Sequence, residues 1–382
     1  MNKSIDILKI TNYDKFNCTA DKCRFTCCVG WDVSIDTDTY NKWKKESDKC
    51  DYILNNVKIK KRGNKKEYFI NKENHEACSL LDKHGLCEVV KSHGEEYLSS
   101  TCHKFPRVEN SFEDKKELSL SCACPEVVEI ISSMTGKIKM ISENDTNLKS
   151  NLLELKIREA VINIVQQENF LLEEKLLVSF QMLATILDDE NFIEDSLLEE
   201  LEKYKNREYI QEIIGMYKEI NFNINESVEE INYLFLDIIK NYKEVSSFEI
   251  LLKDISDFAE NIEIDSLSAK WHDYKSLYEQ YNVLIENCIV SDIVSSCVSN
   301  DIEELTISFQ MIIIEYLLVR YAVFLKYYMN ENNEIDIQDI KDYIVAFSRI
   351  IGNNTEAVEE FFRDGFGEAV LESGYLCFIA LF

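Results

Sequence analysis

Proline and glycine are scarce in this 382-residue chain: two prolines, Pro106 and Pro125, and ten glycines. That excludes a collagen-like or low-complexity protein. Long uninterrupted apolar runs are missing as well. The most apolar stretch, Phe309 to Met329, is broken by Glu315, Arg320 and Lys326. Its uncharged runs fall short of the ~20 residues a membrane-spanning helix requires, so it is expected to be a buried core helix. The first sixteen residues, MNKSIDILKITNYDKF, carry charges too closely spaced for a signal-peptide core, and a cytoplasmic protein is expected. A glycine-rich cofactor loop following a strand is also absent. Asp364-Gly365-Phe366-Gly367 has a superficial likeness to one but stands in a helical setting, so a doubly wound nucleotide-binding fold is not expected.

What is present is divided unevenly. Through Ile131 the chain has 22 Lys+Arg and 22 Asp+Glu; the remainder has 20 basic and 48 acidic residues and carries the whole net charge of −28. Ten of thirteen cysteines and four of five histidines lie in the neutral part. The expected fold class is mainly α: a small Cys-rich α+β metal-binding domain over 1–140, then an acidic all-helical domain over 141–382. Apolar residues recur at three- and four-residue spacing through 148–170 and 196–220, with polar breaks at 188–191 and 221–227. Asn144-Asp145-Thr146-Asn147 forms a cap cluster at the start of this array. The acidic excess argues against nucleic-acid binding, because phosphates would be repelled.

The neutral part reads differently. Val33-Ser34-Ile35 and Glu67-Tyr68-Phe69-Ile70 have strand character, with the basic run KIKKRGNKK (58–66) between them as a solvated loop or hairpin tip. The cysteines fall in three segments. If 21–28 is helical, Cys23 and Cys27 share a face and Cys28 is rotated away by ~100°. ACSLLDKHGLCEVV reads as strand, four-residue turn, strand, with Leu80 facing Cys87 and Cys78 its diagonal neighbour. Ser92-His93-Gly94-Glu95 has capping-box form and opens a helix toward Cys102. Cys122 and Cys124 share one face if their run is extended. Cys288, Cys297 and Cys377 stand in apolar helical surroundings and read as small buried hydrophobes.

So many cysteines in a reducing compartment point to metal or thiol chemistry rather than disulfides. None of the spacings is a paired CxxC zinc ribbon, and Gly30 stands where a CxxxCxxC pattern requires its third cysteine. The residue types alone leave zinc and iron–sulfur equally open. His75, His84, His93 and His103 are scattered among turns and read as surface residues.

The chain resembles the bacterial flagellin lysine-N-methylase family at six ordered blocks. They are Cys23-Arg24-Phe25-Thr26-Cys27-Cys28-Val29-Gly30-Trp31, Cys78-Ser79-Leu80-Leu81 with Gly85-Leu86-Cys87, Gly94-Glu95-Glu96-Tyr97-Leu98, Thr101-Cys102-His103-Lys104-Phe105-Pro106-Arg107, Leu118-Ser119-Leu120-Ser121 and Cys124-Pro125-Glu126. The resemblance implies methyl transfer from S-adenosylmethionine to flagellin lysines by a protein carrying a [4Fe–4S] cluster. It implies Cys23, Cys27, Cys28, Cys78, Cys87, Cys102 and Cys124 as the ligand pool, from which a cluster takes at most four thiolates. Cys122 stands where the family has an apolar residue and is read as core. Glu95, Glu96 and Tyr97 lie in a matching block and are read as structural; no catalytic or cofactor-binding residue is assigned. A non-catalytic zinc- or iron-binding module with a partner-docking helical half, and a redox or electron-transfer protein, are the rival readings. No membrane partner is expected.

Overall fold

The computed structural model describes residues 6–29, 33–62, 65–73, 77–113, 115–142, 152–188, 194–220, 223–330, 334–352 and 373–380. Its strands are β1 (Asp6–Ile10), β2 (Ser34–Ile35), β3 (Val57–Arg62), β4 (Lys65–Ile70), β5 (Lys72–Glu73), β6 (Ala77–Cys78), β7 (Arg107–Ser111), β8 (Lys115–Leu120) and β9 (Met140–Ser142). Between them lie the short helices α1 (Thr37–Lys45), α2 (Ser47–Leu54), α3 (Glu88–His93), α4 (Ser100–Lys104) and α5 (Pro125–Ser132). Beyond residue 152 the described elements are helical: α6 (Leu153–Val165), α7 (Leu172–Asp188), α8 (Glu194–Lys203), α9 (Arg207–Glu219), α10 (Ile224–Ile239), α11 (Ser246–Asn261), α12 (Ile264–Tyr278), α13 (Asn282–Ser296), α14 (Ile302–Met329), α15 (Ile337–Phe347) and α16 (Ser373–Ala380). The described residues are thus mainly helical, with the strands among them confined to the first 142 positions, as the uneven composition suggested.

The helical periodicity resolves into separate helices where side chains can cap them. Asn206 splits 196–220 into two by accepting from Glu208 N at 2.8 Å, and Asn223 opens α10 in the same way. The apolar stretch lies within α14, which is long and apolar enough to cross a membrane by length and composition. Its residues are instead buried almost all round by α7, α10, α11, α12, α13 and α15, as expected of a core helix. The expected cap cluster at Asn144–Asn147 and the loop at Asp364–Gly367 lie outside the described residues.

Two hydrophobic clusters organise the molecule. The larger joins the helices to Ile10, Phe16, Phe25, Leu120, Cys122, Cys124 and Val127, so one core runs from the four-stranded sheet through the helical region. That sheet has the order β7-β8-β1-β9, with β1 parallel to β8 and the other pairs antiparallel. The sheet meets the helices through polar contacts. Glu117 of β8 pairs with Arg158 of α6. Ser119 Oγ lies 2.9 Å from Ser295 Oγ, and Asn110 donates to the Val294 and Ser295 carbonyls at 3.2 and 3.0 Å. The smaller cluster packs α1, α2 and the sheet β2-β4-β3 around Trp43, Cys50, Ile53, Ile70, Leu80 and Val89, with Cys78, Cys87 and Cys102 against it. The expected strands at 33–35 and 67–70 are present, paired Ser34 to Phe69, and Lys58, Lys60 and Lys61 of the β3–β4 hairpin are exposed.

Candidate metal centre

The cysteine segments are built differently from the sequence expectation, and the differences are what let them meet. Residues 23–28 are not helical. A 3-10 turn ends at Lys22, Cys23 leaves it in extended conformation, and the chain bends through Cys28. Cys28 is therefore not rotated away from Cys27. Val29 bridges Ala77, and Cys78 N donates to Cys28 O at 2.7 Å, which sets Cys28 beside Cys78.

The expected hairpin is shifted by one residue and cut short. Leu81, not Leu80, bridges Cys87, and β6 pairs with β5 instead. Asp82 explains the change. Its carboxylate accepts from His84 N at 2.8 Å and Leu86 N at 2.9 Å, and pairs with Lys91 at 2.6 Å. The chain turns at once into α3, with Cys87 at its N-cap where a second strand was expected. The capping box at Ser92 is not used either. Gly94, at φ +89°, ends α3, and Ser99 caps α4 by accepting from Cys102 N at 3.2 Å. Asp36 ties α1 to α4 by accepting from Thr39 N and Ser100 N, both at 2.8 Å. Burial raises its carboxyl, but these N–H donors outweigh that and hold it at about 2.

Cys122 and Cys124 part company rather than sharing a face. β8 ends at Leu120, and the following turn sends Cys122 into the core, its thiol 3.7 Å from the Cys288 carbonyl. Cys122 is thus a core residue, and Cys288, Cys297 and Cys377 are buried as expected. Cys124, at the N-cap of α5, interacts with Cys23 instead.

All seven cysteines of the expected ligand pool gather where the two hydrophobic clusters meet. Cys27 hydrogen-bonds Cys28, and Cys28 bonds Cys78; Cys102 interacts with Cys27, Cys28 and Cys87, Cys23 with Cys27, and Cys124 with Cys23. Among the described residues, however, no three His, Cys, Asp or Glu side chains converge in metal-holding geometry. The thiols share a neighbourhood without closing on one point.

Their electrostatics follow from that crowding. The bond to Cys28 is the main cause that raises the Cys27 thiol. Cys28 is lowered by Cys27, but its bond to Cys78, burial, and its Cys78 and Cys102 neighbours push it up to about 12. Burial pushes Cys102 and Cys124 up to about 11 each. Without a cation these groups stay protonated thiols at neutral pH; a bound metal deprotonates its thiol ligands. Clustered soft sulfur donors suit iron–sulfur or zinc rather than magnesium or calcium.

Histidines stand elsewhere. His93 lies between the rings of Tyr52 and Tyr97, at 5.8 and 5.0 Å; His84 and His103 are exposed, and His75 lies outside the described residues. Tyr97 is pinned on three sides. Its hydroxyl meets Glu46 at 2.6 Å, its carbonyl accepts from Trp43, and Lys42 Nζ sits 4.0 Å from its ring centre. This agrees with a structural role for its block.

Beside Cys23 opens a cleft of about 190 Å³ between the Cys23 loop, the start of α5, and α15. It presents Lys22, Arg24 and Lys341 against Glu126, Glu129 and Asp342. Arg24 pairs with Asp342 at 2.7 Å and Lys341 with Glu129 at 2.6 Å. Burial is the main cause raising the Asp342 carboxyl, opposed by Gln338 and Arg24. Neither the cleft's α15 wall nor its link to the cysteines was visible in the sequence, since α15 begins more than three hundred residues after Cys23.

A helical fold with a clustered-thiol site of this kind defines a cysteine-rich, candidate metal-centre protein. Residues 158–377 match the family profile described as the FliB lysine N-methylase C-terminal domain. The chain belongs to the FliB lysine N-methylase family. Over 128 residues it is 31% identical to a lysine-N-methylase of Salmonella typhimurium, covering 33% of this chain and 32% of that one. The same identity over 128 residues holds for the flagellar biosynthetic protein FliU of Salmonella muenchen, of which 76% is covered. The match thus spans about a third of the length of the curated lysine-N-methylase. No solved structure matches the chain.

Proposed function

We propose that this protein transfers methyl groups from S-adenosylmethionine to lysine side chains of flagellin in the cytoplasm, with a [4Fe–4S] cluster held by thiolates drawn from Cys23, Cys27, Cys28, Cys78, Cys87, Cys102 and Cys124. The observation that carries the reading is the gathering of these cysteines from segments up to a hundred residues apart, in a chain of the FliB lysine N-methylase family. The flagellar name of one relative supports the substrate. A cluster bound by these thiolates supplies a redox-capable anionic centre.

The chain's own residues meet the remaining requirements at the cleft beside Cys23. Displacement at the sulfonium methyl needs a neutral amine, whereas free lysine has a pKa of about 10.4. A proton must therefore leave the ammonium. Asp342, which lines the cleft and whose carboxyl is raised by burial, is the group we assign to receive it. The mixed charges of the cleft suit the zwitterionic amino-acid end of the cofactor, and its volume suits an amino-acid-sized group.

Incubating anaerobically purified protein with S-adenosylmethionine and flagellin, with mass spectrometry of lysine peptides, tests the activity. A mass gain of one methylene per modified lysine is expected, and Asp342→Asn should lower the rate without abolishing metal content. A metal-replete protein that modifies no lysine on co-expressed flagellin would overturn the assignment in favour of a non-catalytic metal module.

A further inference from the structure

Arg349 brings the helical region to the cysteine site. It lies in a π turn, Ser348–Gly352, that continues α15, and it is 1% exposed. Its Nε donates to Ala123 O at 2.9 Å, Nη1 to Thr26 O at 2.9 Å and Nη2 to Phe25 O at 3.2 Å. Two of those carbonyls lie inside the loop that carries Cys23, Cys27 and Cys28. The third stands between Cys122 and Cys124. One planar side chain thus fastens together the two loops that approach the site from the larger core.

Its position relative to the thiols is equally specific. The guanidinium interacts electrostatically with Cys27, Cys124, Cys23 and Cys28. Its face also lies 5.8 Å from the Phe25 ring centre. The same turn anchors itself through Ser348, which hydrogen-bonds Glu315 of α14. Single π turns in α-helices recur at functional sites, because the extra residue redirects side chains that a regular helix would place elsewhere.

We propose that Arg349 is a positioning residue for the metal centre: its three-way fork holds the Cys23–Cys28 and Cys122–Cys124 loops in register, and its charge offsets that of the metal–thiolate group. The inference rests on the metal-centre reading above. A metal–thiolate group carries net negative charge, and a fixed cation in a poorly solvated setting favours it more than one in water. Lysine keeps the charge but cannot span three carbonyls, so the two contributions are separable by substitution.

Arg349→Met and Arg349→Lys in the full chain, purified anaerobically, provide the test. Cobalt(II) titration is followed by the cobalt–thiolate charge-transfer absorption. Iodoacetamide labelling with mass spectrometry compares Cys27, Cys28 and Cys124 against Cys50 and Cys288, which sit in the two cores and report intact folding. Loss of a group supporting metal ligands weakens binding roughly 10–100-fold. That loss is expected for Arg349→Met, with Arg349→Lys recovering part of it and an altered absorption band in both. Site cysteines should label faster in both variants while Cys50 and Cys288 stay protected.

Wild-type cobalt affinity, band shape and labelling in Arg349→Met would overturn the proposal. If Arg349→Met exposes Cys50 and Cys288, it has failed to fold, and Arg349→Lys decides: full wild-type behaviour there overturns the three-way fork. If the wild-type chain binds neither cobalt nor iron, the metal-centre reading fails instead, and the labelling contrast alone decides whether Arg349 positions the loops.

Discussion

Removing the Glu117 charge should damage this fold more than most surface changes, because Glu117 and Arg158 form an ion pair sealed between the sheet and the helices. Their side chains are 3% and 5% exposed, with Arg158 Nη2 2.5 Å from Glu117 Oε2. Arg158 also reaches the Val294 carbonyl of α13 at 3.5 Å. Glu117→Gln leaves a buried guanidinium without its counter-charge, and breaking such a pair costs about 3–5 kcal/mol. That is a large share of the ~5–15 kcal/mol by which domains are stable. Replacing both partners, as Glu117→Leu with Arg158→Met, removes the desolvation penalty together with the attraction and should cost much less than either single change. Urea unfolding of the unaltered chain, Glu117→Leu, Arg158→Met and the double variant completes the double-mutant cycle, with Glu117→Gln measured alongside. A cost of less than about 1 kcal/mol for Glu117→Gln, or a double variant as damaged as the sum of the singles, would refute this account of the docking. β8 runs directly into the Cys122–Cys124 turn, so the same single variant should also expose Cys124 to alkylation.

Asp292 lies near the Cys122 thiol and Glu315, and burial holds its carboxyl at about 7 against an ordinary 3.8. The folded state then keeps a proton that the unfolded state releases. The associated stability is complete below about pH 4 and lost as pH rises through 7. Asp292→Asn should flatten that decline, raising the Tm at pH 7.5 relative to pH 5; an unchanged pH profile would contradict it. For the metal-free chain, burial raises Cys102 and Cys124 from 9.0 to about 11, so their contribution is intact below pH 9 and lost as pH climbs through 11. Thermal melts with and without bound metal check this, the metal-bound form being the less sensitive. Combined Cys78→Ser and Cys87→Ser should strip bound iron, whereas Cys122→Ser should keep it; iron analysis reads both.

The helical half was legible because its cores follow helical spacing, and α14 read as a core helix because Glu315, Arg320 and Lys326 cut its apolar runs below spanning length. The strands at 33–35 and 67–70 followed from β-branched and aromatic alternation, whereas the extension of the hairpin strands into 57–66 did not. Cys122 was placed in the core from the family resemblance, since it stands where that pattern has an apolar residue. The cysteine loops were harder, because their shape is decided by single polar side chains. Asp82 gathers two N–H groups and Lys91, which ends the hairpin and starts α3; Gly94 then breaks the helix expected to run through to Cys102. Cys28 joins Cys27 because 23–28 follows the bridge to Ala77 rather than its local helical pattern. Arg349 carried one faint signal, a charge set against Ile350 and Ile351. What it binds lies more than two hundred residues earlier in the chain, beyond the reach of any local pattern.

The most direct measurement is iron, acid-labile sulfide and zinc content, with an absorption spectrum, on the full chain purified without oxygen. The account predicts a brown protein with iron and sulfide in equal amounts, both lost when Cys78 and Cys87 are replaced. A colourless protein with one zinc per chain, or with no metal at all, would contradict it.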